Sequence, residues 1–547
     1  MRKQRILTAS IAFFTACGSV WACTNLLVGR KASTDGSVII SYTADSHGLY
    51  GEMYRWKAAK WDKGAMLDVY EWDSGKPLGQ IAQAAETYSV VGNMNEYQVA
   101  ITETTFGGRR ELRDSTGILD YGSLIYIALQ RSRSAREAIK VMTGLVAEYG
   151  YYSGGESFSI ADKNEVWIME MIGKGVGNKG AVWVAIRIPD DCIAGHANQS
   201  RIQQIPFSDK ENCLYSPDVV SFARSKGYYS GDDKDFSFAK AYNPYDFGGL
   251  RACEARVWSF FRKYDTAMER YVDFIKGDAS QEPMPLYIKP SRQLSVRDVQ
   301  QNLRDHYEGT ALDMTQDAGA GPFKAPYRWR PMNYKVDGTE YFHERPIATQ
   351  QTGFVIVAQM RNWLPDVVGG IAWFGCDDAA MVVFNPVYSS SLDVPECYRV
   401  GNGDLLTFSW TSAFWVHNWV ANMVYNRYSD MITDVRKLQN EIEGGYETTL
   451  PAIEKAALEL YAKSPDEARQ FLTWYSCTNA DEVTARWKQF GEFLTVKYLD
   501  GIVKKEENGT FKRNRYGQAE RPTTPGYDTE FYREIVKSAG ERLKVVD

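Results

Sequence analysis

No stretch of this sequence concentrates positive charge. Its 63 lysines and arginines are outnumbered by 69 aspartates and glutamates, for a net charge of −6. Without a basic stripe, a nucleic-acid partner is not expected. Histidine is scarce, with 5 in the chain, and His47, His196 and His417 stand singly, without metal-ligand spacing. They read as structural or surface residues. The 8 cysteines also lack tight spacing, so no zinc site is expected. Long apolar runs are absent too. The stretch from Ile6 to about Ala16 is too short to span a bilayer, and nothing later replaces it. There is no internal repeat and no low-complexity tract. Aromatic residues, by contrast, are plentiful, with 34 tyrosines and 15 tryptophans, which suits a large exported enzyme or a carbohydrate-facing surface.

The first 22 residues have the organisation of an export signal. Arg2, Lys3 and Arg5 precede the apolar stretch, and Val20-Trp21-Ala22 supplies a small-residue cleavage site. Cleavage after Ala22 leaves a chain beginning Cys23-Thr24-Asn25. Two readings of that terminal cysteine compete. A bacterial lipoprotein carries lipid on such a residue, although Trp21 sits where a small side chain is usual. Alternatively, Cys23 is an N-terminal nucleophile with its own α-amine as base. The leader alone leaves both open. Six cysteines remain beyond Cys17 and Cys23: Cys192, Cys213, Cys253, Cys376, Cys397 and Cys477. In an oxidising compartment six can pair in 15 ways.

Patterning along the chain predicts an α+β organisation. Leu26-Leu27-Val28 and Val38-Ile39-Ile40 flank Asp35-Gly36, a hairpin signal. Strands are also predicted at 99–102, 157–161, 166–170 and 181–186, with two helices over 121–147 and a start signal at Ser134. Gly173, Gly175 and Gly177 fall between two strands, where a hairpin loop is the better reading than a phosphate loop. Helical character surrounds 252–274, and another helix follows a cap near Ser295. Residues 308–338 form a long irregular segment of the kind that is usually functional or crosses the surface. Strands return at 353–361, 369–374 and 379–385. After Asp404 the pattern is helical, over 410–428, 431–443, 449–463, 465–475 and 481–508.

A terminal cysteine can do what a Cys–His pair does elsewhere. An α-amine titrates at about 7.7–8.0 and a thiol at about 8.5, so the amine can take the thiol proton near neutral pH. The chemistry further needs a group to orient the amine, donors for the oxyanion, and a rigid strand. A hairpin centred on Asp35-Gly36 sets Asp45 opposite Leu26, roughly 10 Å along the strand from Cys23. A bulge could close that gap and make Asp45 the orienter. The alternative is a solvated loop aspartate.

Here the chain resembles a known family. Cys23-Thr24-Asn25-Leu26-Leu27-Val28-Gly29, Ala32-Ser33-Thr34-Asp35-Gly36-Ser37 and Asp45-Ser46 resemble the start of the dipeptidase A-like cysteine dipeptidases. These are N-terminal-nucleophile hydrolases related to secernins, and more distantly to choloylglycine hydrolases and penicillin V acylases. Gly92-Asn93-Met94-Asn95-Glu96, Glu103-Thr104-Thr105, Ala197-Asn198, His306-Tyr307-Glu308-Gly309-Thr310 and Gln359-Met360-Arg361 continue it to about residue 400. The resemblance implies Cys23 as nucleophile, Asp45 as holder of its amine, and Asn95 as side-chain donor to the oxyanion. Asn198 would be the second active-site asparagine and Arg256 a basic residue beneath the nucleophile. Where many members carry arginine three residues before the aspartate, this chain has Tyr42. Each assignment has a structural alternative: a turn residue at Asn95, a cap at Asn198. Glu170, at the end of an apolar strand, either binds a substrate's free amine or marks where the strand meets water.

The fold so implied is a four-layer αββα N-terminal-nucleophile hydrolase sandwich over residues 23–404, with a helical C-terminal region, 405–547, packed on it. The expected activity is that of an exported cysteine dipeptidase, periplasmic or secreted, acting on small peptides through a thioester, with no metal and no organic cofactor. Alternatives are an acylase on other linear amides and a lipid-anchored surface binding protein. No integral membrane segment is expected once the leader is gone, and a homo-oligomer is left open.

Overall fold

The computed structural model describes residues 23–546; the expected leader, 1–22, lies outside the described residues. The fold is mixed α and β, built on two antiparallel sheets. The first has seven strands in the order Tyr287–Ile288, Ile193–His196, Asn25–Val28, Val38–Asp45, Thr352–Met360, Gly370–Cys376 and Asn385–Tyr388. The second has eight, running from Cys213–Tyr215 through Ala181–Ile188, Val166–Gly173, Gly155–Ala161 and Ala100–Gly107 to short strands at 94–95, 90–91 and 55–56.

Side-chain alternation along these strands sorts residues between two faces. Leu27, Val38, Ile40, Ala358 and Met360 of the first sheet share a buried cluster with Ile168, Ile172, Val182 and Val184 of the second. Their neighbours one residue along point the other way. Leu26, Val28, Ile39, Val355 and Val357 join a second cluster with Val257, Phe260 and Phe261 of helix Ala255–Arg262 and with Val416, Val420 and Trp487 of the C-terminal helices. On the second sheet, Trp167, Met169 and Met171 pack with Leu124, Ile125, Ala138 and Met142 of helices Tyr121–Leu129 and Ala135–Tyr149. Ser134 caps the latter, its hydroxyl accepting from the Glu137 amide at 3.2 Å. The loop after Gly173 joins adjacent antiparallel strands, as its glycines suggest.

The C-terminal region is helical but divided differently from expectation. A single 34-residue helix, Tyr428–Tyr461, runs through Gly444, Gly445 and Pro451, residues that read as breakers. Their local penalties, about 1 kcal/mol per glycine and about 3 for proline, are opposed by burial of Ile442, Tyr446, Leu450 and Ala457 on both sides. A second helix, Pro465–Tyr498, has Ser464 as its cap. It crosses Ala413–Asn426 closely at Gly491, where a Cβ would stand 2.2 Å from the Trp419 ring. The segment 379–384, expected as a strand, is buried but irregular; the strand begins at Asn385. In the long segment after Glu308 the only regular β element is an exposed hairpin, Asn333–Val336 with Thr339–Phe342. All seven described cysteines are free thiols. No helix among the described residues is long and apolar enough to cross a membrane.

Candidate active site

The hairpin that carries Cys23 has a different register from the one expected at Asp35-Gly36. Leu27 pairs with Ile40, Val28 with Ile39, and Thr24 bridges Thr43. The connection is a loop over 29–37, not a tight turn, because the Lys31 and Ala32 amides donate to Asp190 O at 2.7 and 3.0 Å and tie it to the next connection. This register sets Ala44 opposite Cys23 and Asp45 one residue further, so no bulge is needed to bring the aspartate alongside.

Arg256, on helix Ala255–Arg262, lies beneath the cysteine. Its Nη1 donates to Cys23 O at 2.6 Å and to Thr24 Oγ1 at 2.9 Å. Nη2 donates to Ala197 O at 3.1 Å and Asn198 Oδ1 at 2.9 Å, and Nε to Ala252 O at 2.7 Å. Arg256 is fully buried, and its charge is solvated by carbonyl and amide dipoles. Asn198 adopts a left-handed backbone, φ 60°, and gives one amide hydrogen to Thr105 O at 2.8 Å. Asp45 is likewise buried. It accepts from Thr352 Oγ1 at 2.7 Å, Thr43 Oγ1 at 2.9 Å and Arg345 Nη2 at 2.5 Å. Cys23, Asp45, Asn198 and Arg256 are therefore brought together.

Two expected residues are engaged elsewhere. The Asn95 amide donates to Leu129 O and Ser132 O, both at 2.8 Å, while its oxygen accepts from the Tyr97 and Val99 amides at 3.0 Å. Its oxygen closes a turn and both amide hydrogens tie that turn to the end of helix Tyr121–Leu129, so no donor remains for an oxyanion. Glu170 does not reach water or a substrate amine. It is fully buried, and its carboxylate accepts from Ser200 Oγ and Arg201 N at 2.5 Å and from Ile202 N at 3.2 Å. It pins the segment just after Asn198, and burial pushes it up to about 7.

Tyr42, in place of the missing arginine, occupies the other side of the sulfur. Cys23 Sγ lies 3.8 Å from Tyr42 Oη and 3.9 Å from Glu103 Oε1, and Tyr42 Oη donates to Glu103 at 2.5 Å. Burial, then the Glu103 and Asp45 charges, push the thiol well above its usual value; the Asp45 amide and the Tyr42 hydroxyl oppose them. With Cys23 joined to the preceding residue, the sulfur is thus a neutral thiol. Cations nearby are Arg256, bonded to the Cys23 carbonyl, and Arg345, paired with Asp45.

Burial also raises Glu103, from near 4.5 to about 7. The folded chain then holds a proton there that the unfolded chain has released. Stability from this group is present below about pH 4.5 and is lost as pH rises towards about 7. Glu103→Gln keeps the shape and cannot ionise. It is expected to gain about 1–3 kcal/mol on the wild type between about pH 5 and about pH 8, read as the difference in urea midpoints. An unchanged difference would show that Glu103 ionises normally.

A model of peptidase family C69 matches residues 22–63 and 56–441. The chain belongs to that family. Among curated relatives, a "Probable dipeptidase" of Latilactobacillus sakei is 27% identical over 455 residues, covering 80% of this chain and 88% of the relative. A "Probable dipeptidase" of Salmonella dublin is 26% identical, covering 68% and 82%. The "Dipeptidase A" of Lactobacillus helveticus is 23% identical, covering 78% and 85%.

Within this C69 chain, sequence reasoning passed over three residues of the site. Glu103 stood in a recognised motif without a role, although a carboxylate sharing a strand face with Ile101 and Thr105 was a usable signal. Glu156 follows paired glycines and carried less. Arg345 lies in irregular chain, where no periodicity announces which residues turn inward.

Proposed function

We propose that this C69 peptidase is an exported cysteine dipeptidase of the N-terminal-nucleophile type, matured by removal of residues 1–22. The observation that carries the reading is the placement of Cys23. Its carbonyl is fixed by Arg256, which also holds Asn198, and Asp45 lies on the adjoining strand. The two stacked antiparallel sheets, with helices against their outer faces, support an αββα sandwich for 23–404, on which 405–547 packs through a shared core.

In this mechanism, cleavage after Ala22 converts the Cys23 peptide nitrogen into an amine. That amine removes the thiol proton, and the resulting ammonium offsets the Glu103 and Asp45 charges that hold the sulfur neutral beforehand. Thiolate attack on the scissile carbonyl gives a tetrahedral oxyanion, for which the second Asn198 amide hydrogen is the available side-chain donor. The amine returns its proton to the leaving amino group, and water then hydrolyses the thioester.

Two measurements test this. Mature protein should show the intact mass of an unmodified chain starting at Cys23, and should hydrolyse dipeptides with a free N-terminus but not their N-acetyl forms. A diacylglycerol adduct would instead identify a lipid anchor, and equal cleavage of blocked substrates an acylase. Full-length precursor with an uncleavable leader is expected to have activity lower by roughly 10³-fold or more, since the base is then an amide. An active precursor would remove the amine from the mechanism.

A further inference from the structure

Next to the sulfur, two buried carboxyl groups meet. Thr105 pairs with Glu156 and Glu103 with Phe158 across adjacent strands. Glu103 and Glu156 are therefore diagonal neighbours on one face of the second sheet. They are 2% and 1% exposed. One oxygen of each is accounted for: Glu103 Oε1 accepts from Tyr42, and Glu156 Oε1 accepts from Thr105 Oγ1 at 2.8 Å. The other two, Glu103 Oε2 and Glu156 Oε2, receive no hydrogen bond from any other described residue; the two carboxyl groups are hydrogen-bonded to each other, through a proton that one of them keeps. No lysine or arginine among those residues forms an ion pair with either carboxylate. Burial and mutual repulsion raise Glu156 well above its ordinary value.

Two buried carboxyl groups joined only by a shared proton, with no cation beside them, are rare in native proteins and call for an explanation. Two adjacent carboxyl oxygens without a cation are completed by a group that brings positive charge and several N–H donors to one point. A primary ammonium does this, with three donors on one atom. Its distance from the reacting sulfur is also suitable. In a peptide, the α-nitrogen lies about 2.5 Å from its own carbonyl carbon, and that carbon must approach the nucleophile to about 3–3.5 Å. With Glu103 Oε1 3.9 Å from Sγ, the Glu103 carboxyl group as a whole is within hydrogen-bonding reach of such a nitrogen.

We propose that Glu103 and Glu156 together seat the free α-ammonium group of the substrate's N-terminal residue, so that the acidic pair selects peptides cut after their first residue. The assignment rests on Cys23 being the nucleophile of a dipeptidase. It replaces Glu170 as the amine-binding group.

Glu156→Gln is the more informative variant, because Glu103 also touches the nucleophile's surroundings. Mature Glu156→Gln should show KM for a free dipeptide such as Ala-Ala raised about 10–100-fold, as for loss of a charge-assisted hydrogen bond, with a smaller change in kcat. Glu156→Asp should recover part of the loss. An unchanged KM would overturn the assignment, as would a fall in kcat alone, which would mark the pair as a proton relay. Wild-type enzyme supplies an arm that needs no variant. A non-cleavable dipeptide isostere should inhibit at least about 10-fold more tightly than the same compound lacking its α-amine. Equal inhibition overturns the proposal even if Glu156→Gln does not fold. Should wild type cleave free dipeptides while these tests fail, only the acidic seat is wrong; should it cleave no dipeptide, the dipeptidase reading falls with it.

Discussion

Replacing Cys23 with alanine is expected to reduce peptide hydrolysis by on the order of 10⁴-fold or more, the scale seen when a covalent nucleophile is removed. The fold should survive. Cys23 is 2% exposed, and the change deletes a single sulfur, for a packing loss of about 1–2 kcal/mol. The backbone carbonyl that Arg256 binds is unaffected. The measurement is steady-state hydrolysis of a free dipeptide by correctly processed variant, with circular dichroism and thermal unfolding to establish its structure. Full activity in a folded, processed Cys23→Ala protein would eliminate the thioester route.

Arg256→Met is expected to be the most disruptive single change among the residues that hold the nucleophile. The side chain donates to three backbone carbonyls, one hydroxyl and one amide oxygen. Methionine has similar length and no donors, so these buried acceptors lose their partners together. Each unsatisfied buried acceptor costs about 1–3 kcal/mol. Allowing for relaxation, a loss of roughly 3–5 kcal/mol in urea-unfolding stability follows. Activity should fall as well, because the Cys23 carbonyl and the Asn198 side chain are released at once. A variant within about 0.5 kcal/mol of wild type would mean that the arginine's bonds are readily replaced.

The parts of the molecule legible in sequence were those governed by local physics. Apolar β-prone runs at 26–28, 38–40 and 166–170 located strands, and Ser134 and Ser295 located helix starts, the latter with a full capping box. The family resemblance, and no local pattern, put Cys23, Asp45, Asn198 and Arg256 in one group. Less legible were features set by distant chain. The hairpin register depends on hydrogen bonds to Asp190, and the continuity of Tyr428–Tyr461 through two glycines and a proline depends on burial against other helices. Asn95 and Glu170 illustrate the same limit. Their types suited an oxyanion donor and an amine binder, but the carbonyls of Leu129 and Ser132 and the amides after Ser200 claim them first. The Glu103–Glu156 pairing depends on register between two strands distant in sequence (Thr105 and Glu156 are 51 residues apart).

The strand Val38–Asp45 lies in the middle of its sheet, between Asn25–Val28 and Thr352–Met360, and Thr352 is 307 residues from Asp45. During synthesis the hairpin bearing Cys23 therefore emerges early, with one edge bare until most of the polypeptide has been made. Such an edge is a template for pairing with another chain, and contacts of this sequence separation form slowly. Fragments ending before residue 352 should consequently clump, and a cell producing this protein needs to shield the unfinished chain until its partner strand arrives.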